Sequence, residues 1–422
     1  MESRRHPPGD RWRRKSVLRF RSVRCKRFLA IPLLAFVLSC APEGGPVRMA
    51  VLEWGHETGT YDLRVVEVRT LDDVRSLRGE AARPIGSATI RLDRVDGTET
   101  EERFRKAVLE EPGHDVEAQF LEQDGVLYPT DYHSLSLATA YYNFEVSRAY
   151  ALARGLSPDK LRGVAFYYLP KLTEDPLMGY AADNAAWFSH LHAFLVFPHI
   201  ELQGIPFAVN QGVIAHEYGH GIFNAEVHDG AWRPASLDWP RTSPGAVLLG
   251  SLEEGFADAW AMGVAGDDSF VGRSIDDEEA RARDLTFDPR RHCYSQAAFS
   301  AELTSARHEN WWAGRKYEIG TMWASALWHA GRQPDTDRDR VMEALLASYR
   351  SVGAGSIADL VAKDRNGSRF GSIAAVAAAI VSGAPDDPTR VALCSVLSDR
   401  FSLRADELGG RCDGVPRAGD CR

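Results

Sequence analysis

The sequence contains no hydrophobic run long enough to suggest a membrane-spanning helix. The apolar stretch at residues 28–38 is too short to cross a bilayer, which takes about 20 residues. The chain also lacks excess positive charge, since 50 Lys and Arg residues stand against 59 Asp and Glu. The resulting net charge of −9 argues against a general nucleic-acid-binding protein. Without repeats, coiled-coil heptads or long low-complexity segments, the 422 residues predict a globular protein with a sizeable core.

Cysteine is scarce, with six residues in the chain and no CxxC pair. No Cys/His spacing supports a structural metal site. Two cysteines fall within residues 1–40, and four remain, which in an oxidising compartment would form two disulfides. Four cysteines allow three pairings. Proximity in the sequence favours Cys412 with Cys421 and Cys293 with Cys394.

The amino-terminal segment predicts export. Residues 1–27 are rich in Arg and Lys, and the apolar run 28–38 follows, as in a signal peptide. The sequence VLSC at 37–40 resembles a bacterial lipobox, in which lipidation of Cys40 would anchor the protein to a membrane. We therefore expect a lipoprotein signal peptide at 1–39, a tether at 40–48 and a location in the bacterial cell envelope. If Cys40 is incidental, the protein is secreted instead.

Hydrophobic periodicity predicts an α+β protein. Alternating apolar and polar residues at 61–68 and 88–92 predict strands, so residues 49–125 are expected to form a small β-rich region. From residue 126 the pattern changes to longer helices with a few buried strands, and residues 401–422 form a Gly-rich, Cys-containing tail. The further predictions are strands at 164–169 and 187–197 and helices at 134–154, 205–224, 250–264, 320–330, 340–351 and 372–382.

The segment HEYGH, residues 216–220, places two histidines four positions apart. On a helix, His216 and His220 lie on one face about one turn apart, so both imidazoles can bind one ion. Zinc accepts imidazole nitrogens and, in catalytic sites, keeps one position open for water. Glu217 is displaced around the helix, so its carboxylate can act as a general base toward that water. The segment therefore predicts a catalytic zinc site.

A second segment, EEGFAD at 253–258, offers a carboxylate from another predicted helix. Glu254 would complete the His₂Glu ligand set of catalytic zinc sites. Asp258, one turn later, can accept a hydrogen bond from the second nitrogen of a ligand histidine. The alternative is a solvated helix face, and the apolar neighbours Leu252 and Trp260 argue against it.

These motifs together resemble the gluzincin metallopeptidases of the thermolysin and fungalysin kind. Residues 183–187, DNAAW, are similar to the edge strand with which those enzymes bind substrate backbone, and residues 319–328 are similar to a fungalysin segment. The resemblance covers about residues 135–330. It implies a zinc metallopeptidase domain at 126–400, with the active-site helix between a β-rich upper part and a mainly helical lower part. It also implies that Asn184 and Ala185 hold the peptide as an added strand.

One position departs from the fungalysin pattern. Tyr317 stands where those enzymes have a histidine thought to stabilise the oxyanion. A phenol can donate the same hydrogen bond, so Tyr317 is the candidate for this role, with His308 and His329 as alternatives. The departure also leaves open a catalytically impaired protein that keeps the fold for a binding role.

The sequence thus predicts an exported zinc metalloendopeptidase. Its expected partners are a peptide or protein substrate and, through the lipid anchor, a membrane. A gluzincin aminopeptidase is disfavoured because the chain lacks the GxMEN-like sequence of those enzymes.

Two further groups of residues offer metal ligands. Asp267, Asp268 and the acidic run 276–279 could bind Ca²⁺, as relatives do, but a solvated charge run is favoured because no loop of defined spacing is present. His190 and His192 share a face if 187–197 is one strand. Packing is favoured there over a second metal site, because no carboxylates cluster nearby.

Overall fold

The described part of the chain mixes strands and helices, which confirms the α+β class. All of it belongs to one compact unit, residues 43–422. Among the described residues, no helix is both long enough and apolar enough to cross a membrane. The predicted signal peptide and Cys40 lie outside the described residues. The computed structural model describes residues 45–94, 105–173, 185–197, 205–230, 244–274, 283–285, 293, 312–351, 371–419 and 421.

Most of the described residues up to 129 lie in strands, in agreement with the β-rich region predicted for 49–125. These strands are β1 Val47–Gly55, β2 Thr60–Val68, β3 Leu71–Asp73, β4 Arg78–Gly79, β5 Arg83–Gly86, β6 Thr89–Arg94, β7 Arg105–Glu111, β8 His114–Asp115, β9 Phe120–Gln123 and β10 Val126–Pro129. Four later strands are β11 Ala165–Tyr168, β12 Lys171–Thr173, β13 Ala185–Phe188 and β14 Ala193–Val196. The first sheet has the order β2-β1-β10-β9.

A second sheet joins strands from both sides of residue 125. Its order is β13-β14-β11-β5-β8, and β5 runs parallel to β11 with Arg83 opposite Ala165. Similarly, β6 of the amino-terminal region runs parallel to β12. Met49 and Val51 belong to the same buried core as Phe144. The amino-terminal strands therefore share sheets and core with the segment that carries the HExxH motif.

Residues 187–197 form a hairpin, so the prediction of a single strand is wrong. Strands β13 and β14 pair antiparallel, with Trp187 opposite Phe194. His190 and His192 lie in the turn between them, and His192 has a φ of 47°. The two histidines therefore share no strand face. The turn residues 189–192 are Ser, His, Leu and His, without the Gly, Pro, Asn or Asp that commonly marks a turn, so the sequence pattern gives little sign of the break.

Helices supply most of the buried core. Three helices start six to eight residues from the predicted positions: the third begins at Pro244 and the fourth at Trp312, both earlier than predicted. The second helix begins at Gln211 and not at residue 205, because the Asn210 side chain accepts the Gly212 N–H at 2.9 Å and caps the helix. The last helix was not predicted, although Asp386 caps it through the Thr389 N–H. The helices are α1 Tyr132–Ala153, α2 Gln211–Val227, α3 Pro244–Ala265, α4 Trp312–Ala330, α5 Arg338–Ser351, α6 Gly371–Ser382 and α7 Asp387–Arg400.

Two close helix crossings determine where the motif residues meet. A Cβ added at Gly219 on α2 would lie 2.8 Å from the Ala257 Cα on α3. A Cβ added at Gly255 on α3 would lie 2.5 Å from the Gly320 carbonyl oxygen on α4. Such distances exclude any side chain larger than hydrogen at these crossings. The first crossing brings the HExxH helix into contact with the Glu254 helix, and the second brings α4 into contact with the Glu254 helix.

The disulfide pairing differs from the prediction. The bonds are Cys293–Cys421 and Cys394–Cys412. The tail folds back along α7, where the Ala418 N–H donates to the Ser395 carbonyl at 3.2 Å. Cys412 is thereby brought to Cys394 and not to Cys421. Proximity in the sequence failed as a guide because it takes no account of this return of the chain.

Candidate functional site

Three side chains from two helices converge at the crossing of α2 and α3. The Nε2 atoms of His216 and His220 lie 3.1 Å apart. The Oε2 atom of Glu254 lies 3.6 Å from the first and 3.5 Å from the second. A point equidistant from these three atoms is about 2.0 Å from each, close to the 2.0–2.2 Å of zinc bonds to nitrogen and oxygen. The triangle therefore has the size of a three-ligand zinc site.

The outer nitrogen of each imidazole is held by a carboxylate of α3. The Nδ1 of His216 lies 3.0 Å from Oδ1 of Asp258, which is fully buried. The Nδ1 of His220 lies 3.2 Å from Oε1 of Glu253. A proton on each Nδ1 leaves the Nε2 lone pairs facing the centre of the triangle. Both rings are thus oriented as metal ligands require.

The centre of the triangle favours a cation. Two imidazole lone pairs meet there with Glu254 Oε2, a buried oxygen that has no hydrogen-bond donor in the described structure. Glu254 is 4% exposed, which rules out the solvated helix face. Burial alone would lower the pKa of His220, but the carboxylates of Glu254 and Glu253 raise it well above its ordinary value. In the absence of a metal, a proton would serve as that cation.

Two carboxylates compete for the role of third ligand. An oxygen of Glu217 also lies within 4.8 Å of the imidazole nitrogens. However, Oε2 of Glu217 accepts the backbone N–H of Trp187, on strand β13, at 2.8 Å. Glu254 lies 3.6 and 3.5 Å from the two nitrogens and offers an oxygen without a donor in the described structure. The geometry therefore favours Glu254 over Glu217 as a third ligand, and Glu217 lies beside the two imidazoles, against the strand edge.

Two cations of the site were missed by the sequence analysis. Lys316 on α4 donates to Oε1 of Glu254 at 2.5 Å. Arg283 donates to Oδ1 of Asp258, the oxygen that also binds His216. Burial alone would raise the pKa of Glu254, yet Lys316 and then His220 hold it well below its ordinary value. Neither cation belongs to a motif, and no periodic pattern marks them.

Tyr317 lies at the edge of this cluster. Its ring centroid is 4.7 Å from the Lys316 ammonium and 5.3 Å from the Arg283 guanidinium carbon. His329, the alternative on the same helix, is twelve residues further on, about 18 Å along the axis. Tyr317 is therefore the nearer of the two to the ligand cluster. His308 and Asn184 lie outside the described residues.

Ala185 occupies the first position of β13, the strand at the edge of its sheet. The Trp187 N–H points away from β14 and toward Glu217. Alternate residues of an antiparallel pair direct their backbone groups to the same side, so Ala185 also presents its backbone to this free edge. Among the described strands none pairs with this edge, so the edge next to Glu217 offers backbone groups to an added strand.

The other candidate ligands remain apart from this cluster. Asp267 pairs with Arg273, and residues 276–279 lie outside the described part. The His192 ring packs on Trp187 at 5.1 Å, and burial lowers the pKa of His192. Within the described residues, no group of His, Cys, Asp or Glu side chains away from His216 and His220 is close enough together to hold a metal ion.

Comparison with protein-family models found no match for this chain. Comparison with curated proteins found no significant match either.

Proposed function

We propose that this protein is a zinc-dependent endopeptidase with a thermolysin-like arrangement, in which His216, His220 and Glu254 bind the metal. The triangle of two Nε2 atoms and one carboxylate oxygen, with edges of 3.1, 3.5 and 3.6 Å, carries the proposal. Its size, its buried oxygen without a donor and its inward lone pairs all fit Zn²⁺. The resemblance of the HEYGH and EEGFAD segments to gluzincins supports the same function.

Glu217 is the proposed general base. When bound, zinc lowers the pKa of water and polarises the scissile carbonyl. The Glu217 carboxylate accepts a proton from the attacking water and returns it to the leaving amine. Its hydrogen bond to the Trp187 N–H holds the carboxylate between the metal position and the edge strand.

The free edge of β13 is the proposed site for the substrate backbone. There Ala185 would hydrogen-bond the peptide as an added strand, with Asn184 adjacent. Tyr317 is the proposed donor to the oxyanion, since its ring already lies beside Lys316 and Arg283. Export and a lipid anchor at Cys40 remain part of the proposal, and with them a site of action in the cell envelope. Ca²⁺ is not part of it, because Asp267 is already paired.

The proposal is tested with the purified full chain by metal analysis and digestion of a fluorogenic peptide library. We expect about one zinc per chain and cleavage that is lost on dialysis against a chelator and restored by stoichiometric Zn²⁺. Mock dialysis without chelator is the control. A protein that binds zinc but cleaves no peptide would instead support the impaired binding protein, and one that binds no zinc would refute the proposal.

Asp258→Asn should weaken zinc binding about 10–100-fold, because the substitution removes the charged acceptor that orients His216. Competition with a chromogenic chelator measures the change. Asp399→Asn is the matched control. Asp399 is also a buried aspartate on a helix, α7, but its carboxylate accepts the backbone N–H of Cys421 and lies outside the histidine cluster. Equal zinc affinity in wild type and Asp258→Asn would contradict the assigned role of Asp258.

A further inference from the structure

Lys316 reaches the metal site because α4 crosses α3 closely. A Cβ added at Gly320 would lie 3.0 Å from the Glu254 Cβ. Lys316 is four residues before Gly320, so it lies on the same face of α4 one turn earlier. Its side chain is 21% exposed, and its ammonium ends on the Glu254 carboxylate. The close contact between α3 and α4 therefore also places the Lys316 ammonium against Glu254, a proposed ligand.

The Lys316 ammonium makes the two oxygens of Glu254 inequivalent. Oε1 accepts from Lys316 at 2.5 Å, while Oε2 faces both imidazoles and has no donor. A carboxylate without such a partner can bind a metal through both oxygens. With Lys316 in place, one oxygen is occupied. The ligand set is thus limited to two nitrogens and one oxygen, which leaves a tetrahedral ion one open position.

The charge of Lys316 acts on the same site. The ammonium offsets the negative charge of Glu254, as Arg283 offsets that of Asp258. A positive charge so close to the ligand opposes the binding of a divalent cation. A metal that is bound nevertheless has less of its own charge neutralised, which strengthens its action on water and carbonyl groups.

We propose that Lys316 is a positioning residue that makes Glu254 a one-oxygen ligand and lowers the affinity of the site for divalent cations. This inference rests on the proposed zinc site. A lysine that served only to stabilise the fold would alter thermal stability without altering metal coordination. Coordination and affinity are therefore the properties that separate the two roles.

The experiment uses the full chain with Zn²⁺ and with Co²⁺, whose visible absorption reports coordination number. Lys316→Met keeps most of the side-chain volume but loses charge and donors. We expect it to bind Zn²⁺ about tenfold more tightly and to change the Co²⁺ spectrum from an intense four-coordinate band to a weaker five-coordinate one. Lys316→Gln keeps a donor without charge, so it should retain the four-coordinate band while binding more tightly. Lys316→Arg keeps both charge and donors, so it should retain the wild-type zinc affinity and the four-coordinate Co²⁺ band.

Lys160→Met is the matched control, because Lys160 pairs with Glu226, another buried carboxylate, at 3.2 Å. It should leave zinc affinity and the Co²⁺ spectrum unchanged. If Lys316→Met does not fold, as judged by circular dichroism, the Gln and Arg variants decide. Wild-type zinc affinity in Lys316→Gln, or wild-type affinity and spectrum in Lys316→Met, would overturn the inference. Failure of the wild-type chain to bind zinc would instead overturn the proposed function.

Discussion

Glu217→Gln is expected to lower kcat/KM for peptide cleavage about 10³-fold while the zinc content stays near one per chain. The amide cannot accept a proton from water, although it keeps the shape of the side chain and can still accept the Trp187 N–H. Because Glu217 is not one of the three proposed ligands, the metal should remain bound. Steady-state kinetics with a fluorogenic peptide, together with metal analysis of the same sample, measure both quantities.

Glu226→Gln is the matched control for this variant. Glu226 is buried on the same helix, 8% exposed, but its carboxylate pairs with Lys160 and Arg350 at the far end of α2. It should lower thermal stability and leave kcat/KM within about threefold of wild type. Zinc loss in Glu217→Gln would show that Glu217 is a ligand. Full activity in that variant would exclude it as the base.

His216→Ala is expected to abolish both zinc binding and cleavage. The change removes one of three ligands and also leaves the buried Asp258 without its imidazole partner. The loss of affinity should therefore exceed the roughly 10–100-fold caused by loss of an orienting hydrogen bond alone. Metal analysis after gel filtration and the peptide assay measure the two effects.

His228→Ala provides the comparison for His216→Ala. His228 is the C-cap of α2, eight residues after His220 and about 12 Å along the axis, and its ring packs on Phe223. This variant should keep its zinc and its activity. If His216→Ala retained stoichiometric zinc with wild-type affinity, the proposed ligand triangle would be wrong.

Local pattern predicted most of the elements correctly. Alternation at 61–68 corresponds to β2, and the helical spacing at 134–154 corresponds to α1. The errors occurred where side-chain chemistry overrides periodicity. Asn210 sets the start of α2 through its cap, and the turn at 189–192 contains none of the Gly, Pro, Asn or Asp residues that commonly mark a turn. A cap signal at Asp386 could have revealed α7.

The identity of the candidate ligands follows from the sequence alone. Four residues make about one helical turn, so the spacing in HEYGH already places His216 and His220 on one face. The same rule relates Glu254 to Asp258 within α3. These are relations within one element, and the periodicity of the helix is sufficient to establish them.

Only the tertiary structure decides how the elements meet. The distance from Glu254 to the imidazoles depends on the crossing of α2 and α3 at Gly219. The contact of the Lys316 ammonium with Glu254 depends on the crossing of α3 and α4 at Gly255. The contact between Arg283 and Asp258 and the disulfide Cys293–Cys421 likewise join residues far apart in the chain. Such contacts arise from the packing of whole elements against one another, so they cannot be predicted from the spacing of residues along one element.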